Sequence, residues 1–314
     1  MYISEDEVRA ALTYEALIPA IRQALMDYSA GRVEQPARLI LRAGNAEGHR
    51  NGWFAVMPVI HGDVMGVKTV TFFPGNAELG IHTHMAMVEL LDRATGEPLA
   101  VMDGRLITEM RTAAVSAAAF GALAPLHFET PPKSFGIIGS GVQARAHVHA
   151  LRRVWAEMRD IRIWSPNAAH AEQCAAESGA RAVPIEEAAA ADVVLTATLS
   201  AEPVLQGRWL APDALVLAVG ATGATVRELD DEVMHTAYLV AESRDCVGRE
   251  SGDVRCSGAK IEAEIGEILA MPGSSAIPRR GRVLFKTVGM AIEDLTAARL
   301  VWKARVEFAG IRPG

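Results

Sequence analysis

The stretch FGIIGSGVQARAH, residues 135–147, constrains this chain more than any other. An apolar run enters Gly139-Ser140-Gly141-Val142-Gln143-Ala144, and an amphipathic helical pattern leaves it. A strand that turns directly into a helix must cross over before the next parallel strand, so the stretch implies a βαβ unit. Each small residue has a reason. Gly139 permits the tight turn, Gly141 lets backbone approach a pyrophosphate, and Ala144 keeps the helix close to the sheet, with the helix N-terminus facing the anion. The same spacing also suits a plain strand–helix turn, but a second strand about twenty residues on favours dinucleotide binding.

The surrounding pattern agrees. After the breaker-rich ETPPKS (129–134), apolar runs at 135–139, 160–164, 180–183, 192–198, 214–219 and 238–241 read as strands with helices between most of them. That alternation predicts an α/β fold with a Rossmann-type, doubly wound parallel sheet. The loop after 214–219, within VLAVGATGATVRELDDE (216–232), carries no carboxylate before Arg227, Glu228 and Asp230, which read as the opening of a helix.

The first third has a different grammar. Ser4 with Glu7 has capping-box spacing, and Thr13 caps a second helix to about Ala30. RLIL, GWFAVMPVI, VMGVKTVTFF, THMAMVELLD and PLAVMD are short apolar runs between turn residues, which predicts an antiparallel sheet of five or six strands. LITEMRTAAVSAAAFGALA (106–124) reads as one long helix, GSSAIPRRGR (273–282) as a loop and VGMAIEDLTAARLVWKA (288–304) as a final helix. That last helix is expected to return to the first domain. The domains are then 1–125 with 286–314, an α+β domain discontinuous in sequence, and 126–285, the Rossmann domain.

The strand DIRIW ends in Ser165-Pro166-Asn167, where an NAD site would place an acid on the ribose hydroxyls. No acid favours NADP over NAD; no Arg at the same place keeps NAD open. Ser165 and Asn167 serve a cofactor or simply cap the next helix.

Three cations stand in apolar surroundings: Arg38 at the head of RLIL, Lys68 inside GVKTV and Arg111 inside TEMRTAAVSA. Such groups are seldom buried without an anion. Internal pairing with Glu78, Glu89 or Glu109 is one account, and surface snorkelling another for Arg38. His82 and His84 share one strand face, but no third ligand stands at metal-site spacing, so no metal is expected. His147 and His149 point to opposite sides of a helix, and the five tryptophans read as core or interface.

A net charge of −7 argues against nucleic acid or an anionic membrane as partner. The longest apolar stretch, 113–126, is too short to span a bilayer. Three scattered cysteines and an acidic start without a signal-peptide pattern fit a reducing, cytoplasmic setting.

Taken together, MP (57–58), GVKTVTFFPGN (66–76), LLDRATGEPLAVMDG (90–104), ITEMRTAAVSA (107–117), GIIGSGVQA (136–144), TAT (196–198), VREL (226–229) and VGMAIEDLTAA (288–298) resemble the ornithine cyclodeaminase/mu-crystallin family. The resemblance implies a dinucleotide-dependent enzyme acting on amino or imino acids. It also implies a homodimer joined through the antiparallel sheets, so that the first domain binds substrate and dimerises. Arg38, Lys68 and Arg111 are then implied to hold the substrate α-carboxylate, with Thr83 on the substrate side. Thr112 and Ser116 are implied to approach the cofactor phosphates. Thr196, Ala197, Thr198, Val219 and Gly220 join the glycine turn around the cofactor, and Thr222 lines the pocket beside the nicotinamide.

Two departures separate the family's activities. Cyclodeaminases carry an acid where this chain has Thr222 and another where it has Ala55. A carboxylate there binds and deprotonates the terminal ammonium before ring closure, and loss of a general base costs ~10²–10⁴-fold. Ketimine and pyrroline carboxylate reductases need only a carboxylate clamp, a cofactor and hydride delivery. The expected activity is therefore NAD(P)H-dependent reduction of a cyclic imino acid, with Lys68 or a water it holds as proton source. Ornithine cyclodeaminase, an alanine-type amino-acid dehydrogenase and a non-enzymatic ligand-binding protein are the alternatives, in that order.

Overall fold

The computed structural model describes residues 1–44, 52–271, 273 and 277–309. Residues 274–276 of the loop expected over 273–282, and residues 310–314 of the expected first domain, lie outside them. The chain divides into two units, Met1–Arg111 with Met290–Gly314, and Thr112–Gly289. The sequence put these seams at 125/126 and 285/286.

The first unit begins with β1 (Tyr2–Ile3), α1 (Glu5–Ala11) and α2 (Tyr14–Ser29). The Ser4 hydroxyl accepts from the Glu7 backbone while the Glu7 carboxylate accepts from the Ser4 backbone, and the Thr13 hydroxyl caps α2. There follow β2 (Leu39–Arg42), β3 (Trp53–His61), β4 (Val64–Phe72), β5 (His84–Asp92) and β6 (Pro98–Asp103). They form the antiparallel sheet expected, extended by β1, which pairs parallel to β6 and was not anticipated. Along β4 burial alternates, so that Val64, Gly66, Lys68 and Val70 share the inward face. Lys68 is the one charge in that row.

α3 (Arg105–His127) starts in the first unit and continues into the second, buried at every position from Arg111 to Phe120. The second unit then runs β7 (Ser134–Ile138), α4 (Val142–Leu151), β8 (Asp160–Trp164), α5 (Ala168–Ser178), β9 (Arg181–Ala182), α6 (Ile185–Ala189), β10 (Val193–Thr196) and β11 (Leu215–Ala218). Next come α7 (Asp231–Thr236), β12 (Tyr238–Ala241), α8 (Arg244–Glu250), α9 (Gly252–Ser257), β13 (Ala263–Glu264), α10 (Ile265–Ala270) and β14 (Val283–Lys286). All eight strands are parallel, in the order β13-β12-β14-β11-β10-β7-β8-β9. Strand order reverses between β7 and β10, and the crevice outside their carboxyl ends is where open α/β sheets bind ligands.

Two expectations need correction here. β13 and β14 were not anticipated, although β14 lies between β11 and β12 inside the sheet. Its four residues, VLFK, are too short for periodicity and end in a lysine, which reads as a surface residue until a partner is known. The segment Arg227–Asp230 is not the start of a helix either. α7 begins at Asp231, with the Asp230 carboxylate accepting from the Val233 backbone as N-cap, and Glu228 lies fully buried before it.

The return to the first unit is α11 (Ala291–Ala309), which packs on α2 and on the faces of β3, β4 and β5. A Cβ on Gly66 would meet the Glu89 carbonyl at 2.4 Å and Leu295 at 2.9 Å, so this glycine allows α11 to lie close on the sheet. Among the described residues no helix is long and apolar enough to cross a membrane, and Cys174, Cys246 and Cys256 are free thiols.

Candidate active site

In the first unit the inward face of β4, the first turns of α3 and the first turn of α11 bring ionised groups together. Lys68 Nζ lies 2.7 Å from Asp294 Oδ2, and both side chains are almost wholly withdrawn from water. Arg111 Nε stands 3.1 Å from Asp294 Oδ1, and Arg111 Nη1 donates to Glu293 Oε2. Asp294 thus bridges the lysine and the arginine. Glu293 and Asp294 fall at the N-terminus of α11, where the helix dipole favours negative charge.

These acids answer the question of what neutralises the buried cations. They come from the far end of the chain, whereas Glu109 pairs with Arg105. The expectation of partners among Glu78, Glu89 and Glu109 therefore misses Glu293 and Asp294. The sequence signal was available: AIEDLTAA sets two acids inside an otherwise apolar helix.

Arg38 precedes β2 and is half-buried. Its charge reaches Lys68: burial lowers the Lys68 pKa to about 8, Asp294 opposes that, and Arg111 and Arg38 push further down. Lys68 and Arg111 are thus held by Glu293 and Asp294, with the Arg38 charge close enough for Lys68 to feel it. A cation group of this kind suits a carboxylate, with the planar Arg111 guanidinium fitted to a bidentate contact.

His84, at the start of β5, feels the same groups. Burial lowers its pKa to about 4, with Lys68 and Arg111 adding to the shift and Asp294 opposing it. It is a neutral imidazole beside the cations at neutral pH, a role that the strand pattern alone did not suggest. Thr83 stands just before it, its carbonyl accepting from the Phe73 backbone. Among the described residues no group of three or more His, Cys, Asp or Glu side chains is arranged to hold a metal. Ala55 is fully buried in β3 opposite Val70, so no carboxylate stands at its position.

In the second unit the glycine turn has the geometry a pyrophosphate needs. Gly139 has φ +126°, and a Cβ there would lie 2.5 Å from the Ala197 carbonyl. Gly141 caps α4 in open space, and Val142 at the first helical position is half exposed. Ala144 is fully buried against the sheet. Among the described residues the buried Gln143 Oε1 has no hydrogen-bond partner, and the Ser140 carbonyl accepts from Arg145. An open helix N-terminus beside a glycine turn fits a dinucleotide phosphate.

Several other residues expected around a cofactor carry structural bonds. The Asn167 side chain accepts from the His170 backbone and caps α5, while Ser165 is half-buried after β8. Thr112 is buried in α3. Ser116 is fully buried and its hydroxyl lies 2.9 Å from His147 Nε2, with His147 Nδ1 at 2.7 Å from the Gln143 carbonyl. Ser116 therefore braces α4 through His147. Burial lowers the His147 pKa to about 4, so the ring is neutral: Nδ1–H donates to Gln143 and Nε2 accepts from Ser116.

The loops after β10 and β11 lie side by side. Ala197 N donates to the Ile138 carbonyl, and Val219 N to the Thr196 carbonyl. The Thr196 hydroxyl and the Thr198 amide both donate to the Glu228 carboxylate. Beyond Gly220, Ala221 adopts φ +54°, the left-handed region that costs a non-glycine residue roughly 1 kcal/mol. Thr222 follows, exposed, in bridge pairing with Ser251.

Residues 1–307 match the ornithine cyclodeaminase/mu-crystallin family. The chain is 39% identical over 313 residues to the ketimine reductase mu-crystallin of Rattus norvegicus, covering 96% of each. It is 34% identical to the Delta(1)-pyrroline-2-carboxylate/Delta(1)-piperideine-2-carboxylate reductase of Azospirillum brasilense, covering 98% of this chain and 96% of the relative. Among solved structures, the Delta(1)-pyrroline-2-carboxylate reductase of Thermococcus litoralis in complex with NADH and L-proline superposes with a TM-score of 0.89. It is 30% identical and covers 98% of each chain. With the glycine turn, the paired cations and the two-sheet architecture accounted for, the chain belongs to the ornithine cyclodeaminase/mu-crystallin family.

Proposed function

We propose that this protein is an NAD(P)H-dependent reductase of cyclic imino acids such as Δ1-pyrroline-2-carboxylate and Δ1-piperideine-2-carboxylate. The observation that carries the reading is the cation group of Arg38, Lys68 and Arg111, in which Glu293 and Asp294 fix Lys68 and Arg111 in place and the Arg38 charge is felt by Lys68. Such a cation group suits a substrate carboxylate. Arg111 grips it with its guanidinium fork, and Lys68 and Arg38 neutralise it.

The nicotinamide supplies a hydride to the C=N carbon. Lys68, directly or through a water, supplies the proton to the nitrogen, and a lysine whose pKa lies near 8 is well matched to that transfer. Gly139, Ser140, Gly141, Val142, Gln143 and Ala144 hold the cofactor pyrophosphate. Thr196, Ala197, Thr198, Val219 and Gly220 flank its nicotinamide half, with Thr222 beside the ring. Thr112 and Ser116 are proposed to approach the phosphates. With neither Asp nor Glu between β8 and α5, Ser165 and Asn167 favour NADP over NAD.

Cyclodeamination is disfavoured because Thr222 and Ala55 offer no carboxylate to bind and deprotonate a terminal ammonium. β2 exposes Leu39, Ile40 and Leu41 in succession, and an apolar edge of this kind is normally covered. A second copy of the chain is the proposed cover.

The purified protein is assayed with each cyclic imino acid plus NADPH or NADH, and separately with ornithine plus NAD⁺ while ammonia is measured. Imino-acid-dependent oxidation of the reduced cofactor supports the reading. Ammonia release from ornithine without net cofactor change would sink it.

A further inference from the structure

The second unit contains a group of buried ionisable side chains that the proposed chemistry does not use. Lys286, the last residue of β14, has no exposed surface, and neither do Asp253 on α9 and Glu228. Lys286 Nζ lies 3.0 Å from Asp253 Oδ2 and donates to the Gly220 carbonyl at 2.5 Å. The other Asp253 oxygen accepts from the backbone amides of Glu228 and Leu229, at 2.8 and 3.0 Å. Glu228 turns back to accept from the Thr196 hydroxyl and the Thr198 amide, at 2.9 and 2.6 Å.

One lysine and two carboxylates therefore tie down two loops at once, the one after β10 and the one after β11. The fit is tight. A Cβ on Gly220 would lie 2.4 Å from Glu228 Oε1, and one on Gly252 would lie 2.1 Å from the Val226 carbonyl. With the Gly220 carbonyl drawn inward by Lys286, the next residue, Ala221, is the only described non-glycine residue at positive φ, and the exposed Thr222 follows it. A left-handed alanine persists only where its surroundings over-determine it. Burying a lysine and two carboxyl groups is likewise costly, and burial pushes the Glu228 pKa up against the pull of Lys286, so a merely stable loop is more simply built from apolar side chains.

We propose that Lys286, with Asp253 and Glu228, is a positioning residue that presets the loops after β10 and β11 for the nicotinamide half of the cofactor. The inference rests on the dinucleotide reading above and adds a division of labour within the second unit. The glycine turn holds the pyrophosphate and adenosine half, whereas the buried ionisable side chains set where the ring lies. A ring displaced by about 1 Å costs on the order of 100-fold in turnover, which gives rigid anchoring of these loops a use.

The test compares wild type with Lys286→Met/Asp253→Asn, which removes both charges together while the amide oxygen still accepts from Glu228 and Leu229. Binding of ADP-ribose and of the complete reduced dinucleotide is measured by titration, alongside melting temperature and turnover. The expected result is ADP-ribose binding unchanged, dinucleotide binding weakened by ~10-fold and turnover reduced by ~10- to 100-fold. Equal weakening of both ligands, or no change in either, would overturn the proposal. Should the double variant fail to fold, Ala221→Gly decides. It relieves the left-handed strain, so the melting temperature holds or rises while turnover and dinucleotide affinity fall; wild-type values for both would overturn the proposal. If wild type binds the dinucleotide but reduces no imino acid, the substrate reading fails and the binding comparison still stands. If wild type binds no dinucleotide, the cofactor reading fails first and this proposal with it.

Discussion

Asp294 Oδ2 lies 2.7 Å from Lys68 Nζ while Asp294 Oδ1 lies 3.1 Å from Arg111 Nε, so one carboxylate from α11 aligns two cations from β4 and α3. This bridge offsets the cost of burying two positive charges and holds them in register. It also sets the proton affinity of Lys68, whose pKa burial lowers to about 8 against the opposing pull of Asp294.

A pH dependence follows. Lys68 is charged below about pH 8 and neutral above it, so kcat/KM for reduction falls as pH rises through about 8. Asp294→Asn removes the neighbour that raises the Lys68 pKa, so the falling limb moves to lower pH. The pH–rate profiles of the two proteins check this. An unmoved limb would show that Lys68 is not the titrating group.

Arg111→Lys keeps the charge and loses the fork. The imino-acid KM is expected to rise by ~10- to 100-fold, the loss of a charge-assisted hydrogen bond, with kcat changed much less. Steady-state kinetics at saturating cofactor separate the two.

Gly139→Ala strains the turn twice. The backbone sits at φ +126°, and the new Cβ meets the Ala197 carbonyl at 2.5 Å. The variant is expected to lose ~1–3 kcal/mol of stability and most of its dinucleotide affinity. Denaturant melts and cofactor titration measure each.

His147 makes the protein acid-sensitive. Burial lowers its folded pKa to about 4 from the ordinary imidazole value of 6.5, so between those values the unfolded chain binds the extra proton. Stability is complete above pH 6.5 and is lost as pH falls towards 4, by on the order of 3 kcal/mol. His147→Gln should flatten this limb of a stability–pH curve, whatever it costs at pH 7.

Ile40→Asp tests the covered edge. Ile40 is 52% exposed within one chain, so a lone subunit tolerates the charge, whereas an apolar interface does not. Size-exclusion chromatography with light scattering should report a monomer for the variant and a dimer for the parent chain.

Much of this architecture is legible locally. The five antiparallel runs, the capped helices α1 and α2 and the strand–glycine–helix unit all follow from residue periodicity and turn chemistry, which act over a few residues. The cations Arg38, Lys68 and Arg111 stand out for the same reason, since charge inside an apolar pattern is visible without a fold. Ser116 shows where such reading stops. Its hydroxyl lies beside His147 on α4, a neighbour distant in sequence, so that contact is not legible in the helix pattern. Glu228 shows it again, because VRELDDE has helical composition, and the buried partners that hold it extended are distant in sequence.

The sequence by itself determined the two kinds of sheet, the glycine cradle and the presence of buried positive charge, because hydrophobic period, backbone freedom and residue charge are properties of short segments. Only the tertiary structure decided which charges neutralise which. Glu293 and Asp294 reach Lys68 and Arg111 because α11 returns to pack on β3, β4 and β5. Lys286 reaches Asp253 and Gly220 because β14 enters the sheet between β11 and β12. Coulomb energy depends on separation in space and on burial, and neither is a property of neighbouring letters.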